Sequence, residues 1–335
     1  MARIGRLMCV LLILAPVVCF SGEPPLLKVS LLPHWLPQAQ FAGYMVALEK
    51  GFYREAGLDV TLLRGGPEKA PFEALLSGEA TFCTGWLSTA IKLRAKGEPV
   101  LNIGQVMQRT ALLLVAKKSS GITTVADLEG RKLGTWGDDF RIQPDALLRI
   151  YGLNASIIPM YSTCNLFLKG AVDATTAMWY NEYHTILNSG LDPDELTVVF
   201  FSDLGLNFPE DGIYCLDETY RSNPQVCGQL VAASLRGWLY CRDHQDEALE
   251  IVMKHADAAH TGTNRAHQRW MLARMLDLIF PDGDTRGMGL LKEKDYRRVG
   301  VELRELNVIK HIPPFEQFRA IPEESAQNTD KSGRE

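Results

Sequence analysis

The chain lacks most of what would give it a chemistry of its own. No Gly-x-Ser-x-Gly elbow, Walker loop, His-Glu-x-x-His pair or kinase motif set occurs in its 335 residues. No Cys-x-x-Cys occurs either, and the seven cysteines are not grouped with histidines at zinc-ligand spacing. His255, His260 and His267 follow one another at intervals of five and seven, which does not line up a metal-binding helix face, so they read as solvated or capping side chains. Basic stripes are absent and the net charge is −5, which excludes nucleic acid as a partner. Disorder is excluded as well, because 46% of the residues are hydrophobic and 22% charged.

No apolar run reaches the roughly 20 residues that a membrane-spanning helix needs. The longest, residues 7–20, follows Arg3 and Arg6 and precedes Ser21, Gly22 and the Pro24-Pro25 pair. That order predicts a secretory signal peptide over residues 1–21, with export to the periplasm. Removing the leader takes Cys9 and Cys19 with it. Cys83, Cys164, Cys215, Cys227 and Cys241 remain, an odd number set in apolar stretches, and no pairing follows from their positions.

What is present is an alternation of strands and helices. Strands are expected at 27–32, 60–63, 80–84, 100–106 and 111–116, with helices at 42–55, 71–76 and 88–95 ended by Gly57, Gly78 and Gly97. A second set follows the polar stretch 117–124: a helical turn at 125–128, strands at 132–135, 157–160, 174–178 and 196–201, and a helix at 142–151 stopped by Gly152. Residues 215–220 return to strand character. From 224 to 305 the pattern is helical, and after residue 322 it is a polar tail. This predicts an α/β chain of two lobes, each a mostly parallel sheet flanked by helices, with a helical C-terminal extension. The expected organisation is lobe 1 from 22–118 and 207–321, lobe 2 from 119–206, and a disordered tail at 322–335. Hinge crossings are expected near 117–124 and 203–208, where the chain is polar or contains glycine.

Ligands of such sheets sit beyond the carboxyl ends of the strands. Four of the six tryptophans fall there: Trp35, Trp86, Trp136 and Trp179. They predict an aromatic interlobe cleft for a flat ligand, whereas Trp238 and Trp270 lie inside helices and read as packing. Trp179 opens the run Trp179-Tyr180-Asn181-Glu182-Tyr183. Glu182 suits either a helix cap or an acceptor for a ring amino group. The loop Gly134-Thr135-Trp136-Gly137-Asp138-Asp139 is a poor phosphate cradle, because two aspartates repel the anion.

The block WLPQAQFAGYMVALEKGFYREAGLDVTLLRGG (residues 35–66) resembles the bacterial solute-binding proteins of the sulfonate/nitrate and thiamine-pyrimidine family. So do LLSGEA (75–80), LEGRKLG (128–134) and the stretch 178–183. The resemblance implies a type II-like periplasmic-binding-protein fold, a small-molecule ligand, an ABC permease and ATPase as partners, a monomer and no cofactor. Gln38 and the Trp-Tyr-Asn-Glu-Tyr run most resemble the pyrimidine-precursor branch. By that resemblance Trp35, Trp179, Glu182 and Tyr183, and more loosely Trp136 and Tyr180, contact an aminopyrimidine, and Gln38, Trp86 and Asn181 join them as candidate ligand contacts by position. If the ligand were instead a sulfonate or nitrate anion, Arg141 is the first candidate to meet it.

The fungal thiamine-pyrimidine synthases share the fold, using a pyridoxal-phosphate lysine and a donor histidine. An ungapped alignment puts Gly85 and Thr89 at those positions, and no cysteine-rich iron-binding run stands near 204–215. Export yields the first prediction. Mass spectrometry of the natively produced protein should find its amino terminus between residues 20 and 25, and a membrane-bound full-length chain would refute the leader.

Overall fold

A computed structural model describes residues 25–137, 139–161 and 163–320. The expected leader, the tail from 322 and Asp138 lie outside the described residues. The elements run β1 (Leu27–Leu32), α1 (Ala42–Glu49), α2 (Phe52–Glu55), β2 (Leu58–Leu62), α3 (Pro71–Leu76), β3 (Phe82–Gly85), α4 (Leu87–Ala95) and β4 (Val100–Gln105). Next come β5 (Leu112–Lys117), β6 (Lys132–Thr135), α5 (Asp139–Tyr151), β7 (Ser156–Pro159), α6 (Asn165–Leu168), β8 (Ala174–Met178), α7 (Glu182–Asn188) and β9 (Leu196–Phe200). The chain returns through β10 (Gly212–Leu216), α8 (Asp217–Ser222), α9 (Pro224–Asp243), α10 (Gln245–Ala258), α11 (Arg265–Ile279), α12 (Glu293–Glu305) and α13 (Phe315–Phe318).

Two five-stranded sheets result, in the orders β2-β1-β3-β10-β4 and β7-β6-β8-β5-β9. In each, four strands run one way and one is reversed: β10 is antiparallel to β3 and β4, and β5 is antiparallel to β8 and β9. The reversed strand is in each case the one entered directly from the other sheet. The first passage between sheets therefore occupies 106–111 and not 117–124, because β5 already belongs to the second sheet. Residues 124–128 instead form a surface turn, closed by a capping box between Thr124 and Asp127. The second passage occupies 201–211.

Two expected elements differ. The helix over 42–55 breaks at Gly51, whose φ of 75° is left-handed, and restarts as α2. Residues 215–220 divide between the end of β10 and α8, because Asp217 and Glu218 favour a helix's first turn over a strand. On the first sheet, α9 crosses α1 at very close range. A Cβ on Gly237 would stand 1.9 Å from the Gly43 carbonyl oxygen, and one on Gly43 would enter the Trp238 ring. Trp238 is fully buried, as its place inside a helix led us to expect. No helix of the described residues is long and apolar enough to cross a membrane.

The two passages are bonded side by side. Glu210, fully buried, accepts from the Thr110 hydroxyl at 2.6 Å and the Ala111 N–H at 3.1 Å, while Gln105 donates to its carbonyl at 2.6 Å. Asn207 adds a bond from the Thr110 N–H and one to the Gln108 carbonyl. Burial, with the Asp211 carboxyl beside it, raises the pKa of Glu210 to about 8.

An acid whose folded pKa is raised holds its full contribution below its unfolded value, near 4.5, and loses it as pH climbs through 8. Glu210→Gln should therefore gain on the parent chain between pH 5 and 8, by at most about 1.4 kcal/mol per pH unit. Urea unfolding of both proteins across that range measures the gap; parallel pH profiles would contradict the assignment.

Candidate functional site

The carboxyl ends of β1, β3, β6 and β8 face each other across the two sheets, and the chain departing from each supplies side chains to the junction. On the first-sheet side the floor is a buried polar chain. His34 takes Thr84 Oγ1 through both its backbone N–H (3.1 Å) and its Nδ1 (2.7 Å). Its Nε2 lies 3.3 Å from Asp211 Oδ1 and 3.2 Å from the Gln40 amide. Gln40 donates to both Asp211 oxygens and accepts from Gln38 Nε2 at 2.8 Å. Burial opposes the charged form of both ionisable members: the His34 pKa falls to about 3 and that of Asp211 rises to about 7. Asp211 adopts φ 55°, a left-handed conformation that a non-glycine residue holds only where its surroundings fix it. Tyr180, from the other sheet, faces this floor. Its phenol pKa is raised by burial and then by the carboxyls of Asp211, Glu182 and Glu210.

One wall is aromatic. Phe140 sits between Trp86 and Trp136, with ring centroids 4.5 Å and 5.4 Å away and tilts of 59° and 55°. Phe140 is held at the start of α5 although Pro144 cannot donate to its carbonyl. The Thr135 hydroxyl supplies that bond instead, at 3.4 Å. Beside the rings, Asp139 reaches from α5 to the first turn of α4, where it accepts from the Ser88 and Thr89 hydroxyls and pairs with Lys92 Nζ at 2.9 Å. The two lobes are thus latched through a carboxylate next to an aromatic stack.

The expected tryptophan cluster is only partly formed. Trp86 and Trp136 meet through Phe140, but Trp35 is 40% exposed and lies beside Pro33, Pro37, Leu62 and Leu63 near the β2 edge. Trp179 turns toward Phe200, 5.1 Å away and edge-on, and its other neighbour is the Arg274 guanidinium, 4.8 Å from the ring. Trp270 is not simple helix packing, because its indole N–H donates to the Trp179 carbonyl at 3.0 Å. Both Glu182 oxygens are engaged within the chain, by the Met178 N–H (2.9 Å) and by Asn181 Nδ2 (2.7 Å). Tyr183 packs in the core of the second sheet with Leu113, Val115 and Ile186. His267, expected to be solvated, is half-buried and bonded to Asn181 and His184. Arg141 pairs with Asp145 on its own helix.

His34, Gln40, Asp139, Phe140 and Asp211 escaped the sequence. Only Phe140 left a usable sign, a second ring four residues after Trp136. Among the described residues no group of three or more His, Cys, Asp or Glu side chains gathers as a metal site. The latch is directly testable. Asp139→Ala removes charge-assisted hydrogen bonds of about 1.5–3 kcal/mol each, so its radius of gyration by solution scattering should exceed the parent's. An unchanged radius would show that Asp139 does not hold the lobes together.

Residues 38–248 match the family model described as NMT1/THI5 like. The riboflavin-binding protein RibY of Chloroflexus aurantiacus is 25% identical over 252 residues, 72% of this chain and 70% of the relative. The formylaminopyrimidine-binding protein of Halalkalibacterium halodurans is 23% identical over 259 residues, 71% and 74% of the two chains. A 4-amino-5-hydroxymethyl-2-methylpyrimidine phosphate synthase of Legionella pneumophila is 23% identical over 240 residues, 67% and 72%. Among solved structures, the periplasmic aliphatic sulphonate binding protein SsuA of Escherichia coli superposes with a TM-score of 0.68 at 18% identity, over 90% of this chain and 93% of that one. The two-lobed fold is that of periplasmic solute-binding proteins.

Proposed function

This chain belongs to the NMT1/THI5-like family, and from that premise we propose that it is the extracytoplasmic solute-binding component of an ABC importer, taking a small planar heterocycle that carries amino or ring N–H donors. The observation that carries this reading is the pairing of an aromatic wall with acceptors. Trp86, Phe140 and Trp136 offer ring faces, and Asp139 stands next to them. Asp211 lies in the floor and Glu210 in the bridge beside it, and neither has a Lys or Arg among its bonded partners. A floor without a cationic partner offers no counter-charge to sulfonate, nitrate or phosphate, which favours a donor-bearing ring. Relatives named for riboflavin and formylaminopyrimidine, both flat nitrogen heterocycles, point the same way.

We take the role to be binding and not catalysis. The resemblance to the synthases puts their lysine at Gly85, where an added Cβ would lie 2.5 Å from Phe72 Cε2 and 2.7 Å from its Cζ, both belonging to a buried ring. Thr89 replaces the donor imidazole and gives its hydroxyl to Asp139. A site without the amine and the imidazole has no reactants for that chemistry. On this reading the mature protein works in the periplasm as a monomer, alongside a permease and an ATPase.

Calorimetry with a formylaminopyrimidine, a hydroxymethylpyrimidine and riboflavin, against taurine and nitrate, tests the ligand class. At least one heterocycle should bind and neither anion should. Trp86→Ala should weaken the binding heterocycle by roughly tenfold, the worth of about 1 kcal/mol of stacking plus lost contact area. Binding of the anions alone would overturn the assignment, and pyrimidine phosphate formed on incubation with pyridoxal phosphate would overturn the non-catalytic role.

A further inference from the structure

The run at 179–183, which reads from sequence as a set of ligand contacts, is bonded together with the following His184 to α11 of the opposite lobe. Asn181 Nδ2 donates to the Glu182 carboxylate at 2.7 Å, which fixes the orientation of the amide. Asn181 Oδ1 is then an acceptor, and His267 Nε2, 2.9 Å away, must carry a proton. A neutral His267 protonated at Nε2 has a lone pair at Nδ1. His184 Nδ1 lies 2.8 Å from that atom and supplies the hydrogen. The two ring planes are within 20° of parallel with centroids 5.1 Å apart, and His184 stacks on Trp270 at 4.8 Å and 8°. This network assigns one proton to the contact between the Nδ1 atoms. A second would set N–H against N–H at hydrogen-bond distance.

From this juxtaposition we propose that the Asn181–His267–His184 chain is a pH-sensitive clasp, holding the lobes together near neutral pH and releasing them in mildly acidic surroundings.

The charges around the pair do nothing to stabilise a second proton. On the second-lobe side Asn188 brings its amide nitrogen, which has no acceptor to offer a further proton, to 3.3 Å of His184 Nδ1, and Glu182 is separated from the rings by Asn181. On α11, Arg274 places its guanidinium 4.9 Å from the Trp270 ring centroid, adding positive charge. Arg265 and Arg269, also on α11, are paired with Glu250 and Asp246 of α10. Burial lowers the pKa of both histidines, and His184 lowers that of His267 further.

At these two histidines the closed state therefore binds fewer protons than an open one in which both rings are hydrated, with pKa near 6.5. Above about pH 6.5 the histidine pair leaves closure unaffected. Below it, each histidine reduces the closing equilibrium by up to tenfold per pH unit until its own depressed pKa is passed, so the pair reduces it by up to a hundredfold per unit.

Solution scattering of the mature protein from pH 8 to pH 5, with far-UV circular dichroism alongside, reads the clasp without a ligand. The radius of gyration should increase between pH 7 and 5 with the helical signal unchanged. The double variant His184→Gln with His267→Gln, which can still hydrogen-bond but cannot charge, should stay flat. A flat parent profile, the same increase in the double variant, or a loss of helical signal accompanying the increase would each overturn the proposal. Histidine NMR titration of the unaltered protein is an independent check that does not rely on the variant folding. Both imidazoles should titrate below 6.5, and two ordinary titrations near that value would also refute it.

Discussion

A single carboxyl group, that of Glu210, joins the two places where the chain passes between its sheets. The chain leaves the first sheet through 106–111 and re-enters it through 201–211, and these segments are far apart in sequence. Glu210, at the end of the second, is bonded to Thr110 and Ala111 at the end of the first. With Gln105 and Asn207 it makes one hydrogen-bonded bridge out of two connections. Every approach of one lobe to the other is referred to this point, because β5 and β10 both start from it. The cost is a buried acid, kept tolerable by remaining protonated.

From that bridge the junction opens in three directions, each with different chemistry. The floor of His34, Gln38, Gln40 and Asp211 is polar and buried. The wall of Trp86, Phe140 and Trp136 is apolar with a charged latch at its side. The rim of Trp179, His184, His267, Trp270 and Arg274 is aromatic and cationic. On the proposed function a planar solute would meet the wall and the floor, and on the proposed clasp the rim sets how firmly the lobes meet.

The local part of this arrangement was legible in the sequence. The bounds of β1, α3, β6 and β8 coincide with those expected, because their signals are short-range: apolar runs, a proline at a helix start, glycine stops. Where a boundary depended on one glycine's backbone, as at Gly51, the apolar pattern continued through the break and concealed it. The site was legible only as a set of positions. That Trp86 and Trp136 would meet, and Trp35 and Trp179 would not, depends on how two sheets face each other. Nothing local records that His267 lies against a residue 83 positions earlier. Buried acids are the least visible of all, since Glu210 and Asp211 look in sequence like an ordinary polar turn.

The reversed strands also set the order in which a nascent chain can assemble. All five strands of the second sheet lie between residues 112 and 200, so that sheet is complete once its own segment has been made. The first sheet is not. Its β3 and β4 are not neighbours; β10 fills the space between them, and it is synthesised only after the whole second sheet. Until then β4 has no strand partner, and α1 has no α9 to cover its glycine face. Contacts of such long sequence separation form slowly, because loop closure must precede them. The first sheet therefore stays open, with the edges of β3 and β4 unpaired, while all of residues 106–211 are being made.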